Sequence, residues 1–185
     1  MPAGSTRNPL TIFKKEISRV KTKIAPLVPV VDDAAKQIVA ESAFLVAFTS
    51  YEEFLRRIIR SRLNDSRNLS NLKKASGVGI LLAGFLQHIK TGREKQLNDF
   101  ARLLLEDFFL KKSKAAELKK EATSKKISFW PKCNRPIEMI DKLRELRNDI
   151  AHGNKKCLIL KENELETAII FLEFCVEFVE NNYRV

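Results

Sequence analysis

Residues 34–63 constrain this fold more than any other stretch of the chain. No glycine or proline interrupts them, and those are the two residues that weaken or break a helix interior. Their middle, Ala43-Phe44-Leu45-Val46-Ala47-Phe48, is apolar on every side. A helix with no polar face has to be wrapped by other elements, so this is the expected central helix. Further on, Tyr51, Phe54, Leu55, Ile58 and Ile59 form one face, and Glu53, Arg56, Arg57 and Arg60 the other. Glu52–Arg56 and Glu53–Arg57 have i,i+4 spacing, which adds only ~0.2–0.5 kcal/mol per pair. Asp32 and Asp33 suit the positive end of the helix dipole and mark its start.

The rest of the chain supplies the wrapping. Residues 1–31 read as a basic leader, with a short amphipathic helix carrying Ile12, Ile17, Val20 and Ile24 and ending at Pro26 and Pro29. Residues 32–185 read as a single domain. Residues 64–79 have loop composition, a short apolar helix is expected over residues 80–89, and another helix over 95–109. Residues 111–126, with seven lysines and two glutamates, read as a solvated arm or helix. Phe129-Trp130-Pro131 is an aromatic loop whose rings are expected to pack in the core or an interface; base stacking is the rival use. Pro136 opens a helix that stops near Gly153. The last helix, about Asn163 to Asn181, carries Leu165, Ile169, Phe171, Leu172, Val176 and Val179 on more than one face, so it is buried on several sides or meets a second subunit. No strand pattern survives, and the predicted class is all-α, a compact bundle of about five to seven helices.

Charge and cysteine usage narrow the function. The net charge of +11 attracts polyanions, mainly nucleic acid or an acidic membrane. The most apolar late run, Ala168 to Val179, is broken by Glu173 and Glu177, so no membrane span is expected. Cys133, Cys157 and Cys175 form no C-x-x-C pair, which argues against a zinc or dithiol site and for free thiols. With no hydrophobic signal core after Met1, a cytoplasmic location is expected.

The chemistry concentrates in Leu143-Arg144-Glu145-Leu146-Arg147-Asn148-Asp149-Ile150-Ala151-His152-Gly153. At 100° per residue, Met139, Ile140, Leu143, Leu146, Ile150 and Ala151 share one apolar arc, and Arg147 falls inside it. An unpaired charge there would cost several kcal/mol. Three readings stay open: an ion pair with Glu41 or Glu52 on the long helix, a wet subunit interface, or an active-site cleft. Asn148 and His152, four apart, share the polar flank with Arg144. His88 reads as structural or surface. Lys155 and Lys156, just past the motif, and the lysine-rich segment are candidate phosphate contacts.

Arg147-Asn148-Asp149-Ile150-Ala151-His152-Gly153, in the penultimate helix of a small helical protein, resembles the R-x4-6-H motif of HEPN domains. Asn148 fits the polar second position of that motif. Ser50-Tyr51-Glu52-Glu53-Phe54 on the long helix resembles the prokaryotic HEPN nuclease branch. The resemblance covers roughly residues 34–182, without a counterpart for the leader or the lysine-rich segment. It implies a helical bundle that dimerises with two motifs facing one shared cleft. It also implies a metal-independent endoribonuclease, without cofactor, of a toxin–antitoxin, anti-phage or RNA-processing system. The alternative it implies is a non-catalytic module that binds a nucleotide or a protein. The implied partners are RNA, a second copy and a cognate antitoxin or regulator. Asn154 stands where one toxin subgroup has a modifiable tyrosine, which puts that form of control in doubt.

On this resemblance, Arg147, His152 and Asn148 are the catalytic candidates, with Asp149, Glu52 and Arg144 supporting and Lys155 and Lys156 binding RNA. The residue types suit the reaction. Histidine is the side chain whose ordinary titration range brackets neutral pH. Arginine donates paired hydrogen bonds to a phosphate as negative charge builds on it. Asn148 would orient the histidine or a phosphate oxygen; Asp149 would hold a tautomer or stay solvated. One difficulty is geometric: Arg147 and His152 lie about 140° apart on an ideal helix. Either the helix end swings His152 round, or the site takes its arginine and histidine from different subunits.

Overall fold

The computed structural model describes residues 8–63, 112–153 and 162–183. The expected loop at 64–79, the helices at 80–89 and 95–109, His88, Asn154, Lys155, Lys156 and Cys157 lie outside the described residues. The five described α-helices are α1 (Pro9–Arg19), α2 (Asp33–Leu63), α3 (Lys112–Ser124), α4 (Pro136–Ala151) and α5 (Glu162–Tyr183). A π-helical turn (Val20–Ile24) and a 3-10 turn (Ala25–Leu27) follow α1. No strand occurs among the described residues, which are all-α.

Helix α2 is the hub, packing against α1, α4 and α5, while α3 packs against α4. Its start follows from Asp32, whose Oδ1 accepts the Ala35 N–H at 2.9 Å and whose carbonyl accepts the Lys36 N–H at 2.9 Å. Ala40, Ala43, Phe44, Ala47, Phe48, Tyr51, Phe54 and Leu55 are buried. Small alanines let neighbouring helices approach, and the rings fill the space between them. The chain Phe44–Phe48–Tyr51 runs along the helix at centroid spacings of 5.7 and 5.9 Å. The expected burial on every side is incomplete, because Leu45 and Val46 are only half-buried. With Thr49 and Ser50 they line a groove against Pro9, Ile12 and Phe13 of α1.

The leader helix belongs to the same core. Phe13, Ile17 and Val20 are buried, and the Phe13 ring lies 6.0 Å from that of Phe54. The buried stripe is Phe13-Ile17-Val20 rather than one through Ile12, which is half-buried in the groove wall. Helix α3 is not solvated all round either: Leu118 and Ala122, one turn apart, are buried while Lys119 and Lys120 stay exposed.

Helix α5 takes the first of its two expected environments. Leu165, Ala168, Ile169, Phe171, Leu172, Phe174, Cys175, Val176, Phe178 and Val179 are all buried within one protomer. The aromatic loop docks on this helix. The Trp130 indole donates to the Glu164 carbonyl at 2.9 Å, and Phe129 meets Phe171 edge-on at 5.8 Å. These contacts bear out core packing of the two rings. Cys133 and Cys175 are free and buried, and no described helix is long and apolar enough to cross a membrane.

Candidate functional site

Helix α4 sets the geometry of the motif. Pro136 occupies its first turn, and the Glu138 carboxylate accepts the N–H groups of Asn134 and Arg135 at 2.7 and 3.1 Å. Those bonds hold the Glu138 carboxyl below its ordinary range. Met139, Ile140, Leu143 and Leu146 then form the buried stripe. Ile150 is half-buried and Ala151 is exposed, so the apolar arc stops short of the helix end. The reason is positional: the last turn of α4 projects beyond the core.

Arg147 sits where α4 meets α2. Its Nη2 lies 3.4 Å from Glu52 Oε2, and its Nη1 donates to Asn148 Oδ1 at 3.1 Å. Of the two carboxylates expected near it, Glu52 is the partner; Glu41 accepts instead from the Gln37 side-chain amide. The pair is neither sealed nor free, with side-chain exposures of 28% for Arg147 and 18% for Glu52. These two contacts on a guanidinium with five donors leave donors for another acceptor.

Glu52 reports the local electrostatics. Burial pushes its carboxyl above the ordinary glutamate value, and Arg147, Arg56 and Arg144, in that order, pull it back down. Three guanidinium groups therefore act on one carboxylate. Arg144 donates to Asp141 at 3.1 Å, and Glu53 holds Arg57 at 2.7 Å and Arg56 at 3.4 Å. Beneath them Tyr51 is buried, and its hydroxyl has no hydrogen-bond partner among the described residues. Burial drives its phenol well above the ordinary range.

His152 caps the C-terminus of α4. Its backbone (φ −95°, ψ 1°) still donates to the Asn148 carbonyl at 2.9 Å, and Gly153 (φ 64°) donates to the Ile150 carbonyl at 3.1 Å. Gly153 thus stops the helix in the left-handed conformation, as its position in the sequence requires. The helical bond to Asn148 keeps His152 in register, so the helix end does not swing it toward Arg147. His152 and Asn148 are exposed, Asp149 is half-buried, and no hydrogen bond or ion pair joins Arg147 to His152 among the described residues. One protomer brings together Arg147, Glu52, Asn148 and Arg144, and His152 touches this group only through its backbone bond to Asn148 among the described contacts.

Arg56 was assigned by its sequence spacing to the outer face of α2. Its one early signal is its place four residues after Glu52. Among the described residues, no group of three or more His, Cys, Asp or Glu side chains could hold a metal ion.

Helices, motif and the Arg147–Glu52 junction can be set beside known families. The family model RiboL-PSP-HEPN matches residues 10–181. The chain belongs to the RiboL-PSP-HEPN family. The match to this HEPN family begins inside α1, earlier than the resemblance of the motif and long helix alone would place it. No curated protein and no solved structure matches the chain.

Proposed function

We propose that this HEPN protein is a metal-independent endoribonuclease, acting as a toxin or anti-phage effector. The 2′-oxygen of RNA attacks the adjacent phosphate, the bond to the 5′-oxygen breaks, and a 2′,3′-cyclic phosphate and a 5′-hydroxyl result. Arg147 binds the phosphate as its charge builds, Asn148 orients it, and His152 exchanges the proton. Glu52 and Arg144 position the arginine, and Asp149 supports the histidine. Lys155 and Lys156 bind the flanking strand. The observation that carries this reading is the half-exposed Arg147, held at 3.4 Å by one carboxylate and still facing solvent.

The separation of His152 from Arg147 within one protomer favours a site completed by a second copy. The partners are therefore RNA, a second HEPN chain and a cognate antitoxin or regulator. The rival reading is a binding module in which Arg147–Glu52 only fastens α4 to α2. Cleavage of single-stranded RNA with end-group analysis decides between them. A cyclic phosphate, lost in Arg147→Ala and in His152→Ala proteins that remain folded, supports the nuclease, and equal cleavage by all three proteins refutes it. Cleavage persists in excess EDTA; loss that magnesium restores contradicts the metal-free chemistry.

A further inference from the structure

We propose that Lys126 and Lys132, at the two turns of the loop between α3 and α4, form a second phosphate-binding surface for single-stranded RNA. This surface is separate from Arg147, which lies about three turns along α4. It deepens the nuclease reading and rests on it for the identity of the ligand. Lys126 and Lys132 are the two described residues other than glycine with positive φ, at 52° and 70°. Lys126 follows α3, where its N–H donates to the Thr123 carbonyl at 3.1 Å and the Ile127 N–H to the Ala122 carbonyl at 2.9 Å. In that helix-ending pattern glycine normally takes the left-handed position. Lys132 takes the third place of the turn Trp130-Pro131-Lys132-Cys133, closed by the Cys133 N–H on the Trp130 carbonyl at 3.0 Å. Proline followed by a positive φ makes a type II turn, which favours glycine or asparagine at that third place. Either residue would be less strained at both positions, yet each holds a lysine.

Both lysines are exposed, and neither forms an ion pair among the described residues. Neighbouring carboxylates are engaged by other cations: Glu121 and Glu177 hold Lys125 at 3.1 and 3.3 Å, and Glu138 holds Arg135 at 2.7 Å. Residues 112–135 carry eight lysines and arginines against two glutamates, and the local field stays positive with Glu138 and Glu177 added. The loop is pinned along its length. Lys125 lies 5.7 Å from the centre of the Phe174 ring, Phe129 packs on Phe171, and Trp130 bonds to the Glu164 carbonyl. These contacts lay the loop along α5 from Glu177 to Glu164, about 20 Å of helix. The two lysines are therefore held toward opposite ends of it, where one strand meets each at a different phosphate. No large apolar side chain is exposed along the loop among the described residues. The surface thus suits a phosphate backbone rather than a lipid bilayer, whose binding also takes apolar side chains.

The test uses the full chain, with a single-stranded RNA for cleavage and a 2′-deoxy version of it, which cannot cleave itself, for binding. Asparagine accepts the left-handed conformation and removes the charge. The double variant Lys126→Asn with Lys132→Asn should therefore melt no lower than the wild type. Its affinity for the 2′-deoxy strand should fall roughly tenfold at low salt, and the slope of log affinity against log salt by about 1.4, two single-strand phosphate contacts. The loss in cleavage falls on KM, with kcat retained. Lys126→Arg with Lys132→Arg keeps both the strain and the charge, and should keep the salt slope. An unchanged slope in the asparagine variant overturns the inference, whether or not its melting temperature falls, while wild-type cleavage keeps the nuclease reading. Binding to vesicles of anionic lipid in place of the strand overturns it as well. Wild-type binding without cleavage, with the slope still reduced in the asparagine variant, removes the nuclease and keeps the phosphate surface. Absence of both binding and cleavage in the wild type overturns both.

Discussion

The Arg147–Glu52 contact can be dissected by a double-mutant cycle, with Glu52→Gln, Arg147→Met and the double variant melted in denaturant at one protein concentration. At 3.4 Å and an effective dielectric near 20, the bare attraction is about 5 kcal/mol. Two terms oppose it. Fixing the arginine side chain forfeits about 2 kcal/mol of rotamer freedom. Desolvation of the carboxylate outweighs its arginine neighbours, since the Glu52 carboxyl sits above its ordinary range. The coupling left over is about 1–2 kcal/mol, between the exposed-pair and buried-pair extremes. Arg147→Met should therefore lower the melting temperature by only a few degrees, at about 2–4 °C per kcal/mol for a chain of this length. The same substitution should lower RNA cleavage by roughly 10²–10³-fold. A coupling below about 0.3 kcal/mol would mean that the pair does not form. One above about 3 kcal/mol would mark a locked structural pair, and the case for an arginine available to substrate would fail.

Three further outcomes follow from other features. The folded Glu52 carboxyl binds its proton more readily than the unfolded one, so native stability falls as pH rises from the ordinary glutamate value of 4.5 through the raised folded value; Glu52→Gln should flatten that stretch of the stability–pH curve, and an unchanged slope refutes the assignment. Tyr51→Phe removes a buried hydroxyl with no described partner and should be neutral or stabilising by up to about 1 kcal/mol in denaturant melts; a loss above 1 kcal/mol would show the hydroxyl to be bonded. Gly153→Ala forces a side chain into φ 64° with nothing within 4 Å of the new Cβ, so its cost is conformational alone, about 1 kcal/mol; Gly153→Asn, which tolerates that region, should cost less, and equal melting of all three proteins would contradict the left-handed cap.

Much of this architecture was legible where a local rule dictates it. Pro136 and Gly153 bracket α4, Asp32 starts α2, and the excess of apolar positions on α5 forecast its burial. The partner of Arg147 was narrowed to two glutamates, and only three-dimensional packing chose Glu52. What escaped lies in sparse or shifted patterns. Leu118 and Ala122 are two apolar positions in a lysine-dominated stretch, too few to announce a buried face, yet one turn apart they suffice to dock α3 on α4. Phe13 was displaced by its neighbour Ile12, since either begins an acceptable helical stripe. The influence of Arg56 on Glu52 was hidden because the faces of α2 cannot be told apart until α4 packs against one of them. The histidine problem was visible as an angle, and the retained helical bond to Asn148 preserves that angle in the fold.

The burial of Phe13, Ile17 and Val20 against α2 has a practical consequence for any shortened version of the protein. A chain begun at residue 32 would lose those plugs and uncover the face of α2 around Phe54, on which Phe13 packs. Such a face is adhesive in its own right, and two truncated molecules would clasp through it. Their apparent dimer would be a product of the truncation, and it would occlude one flank of the helix that carries Glu52.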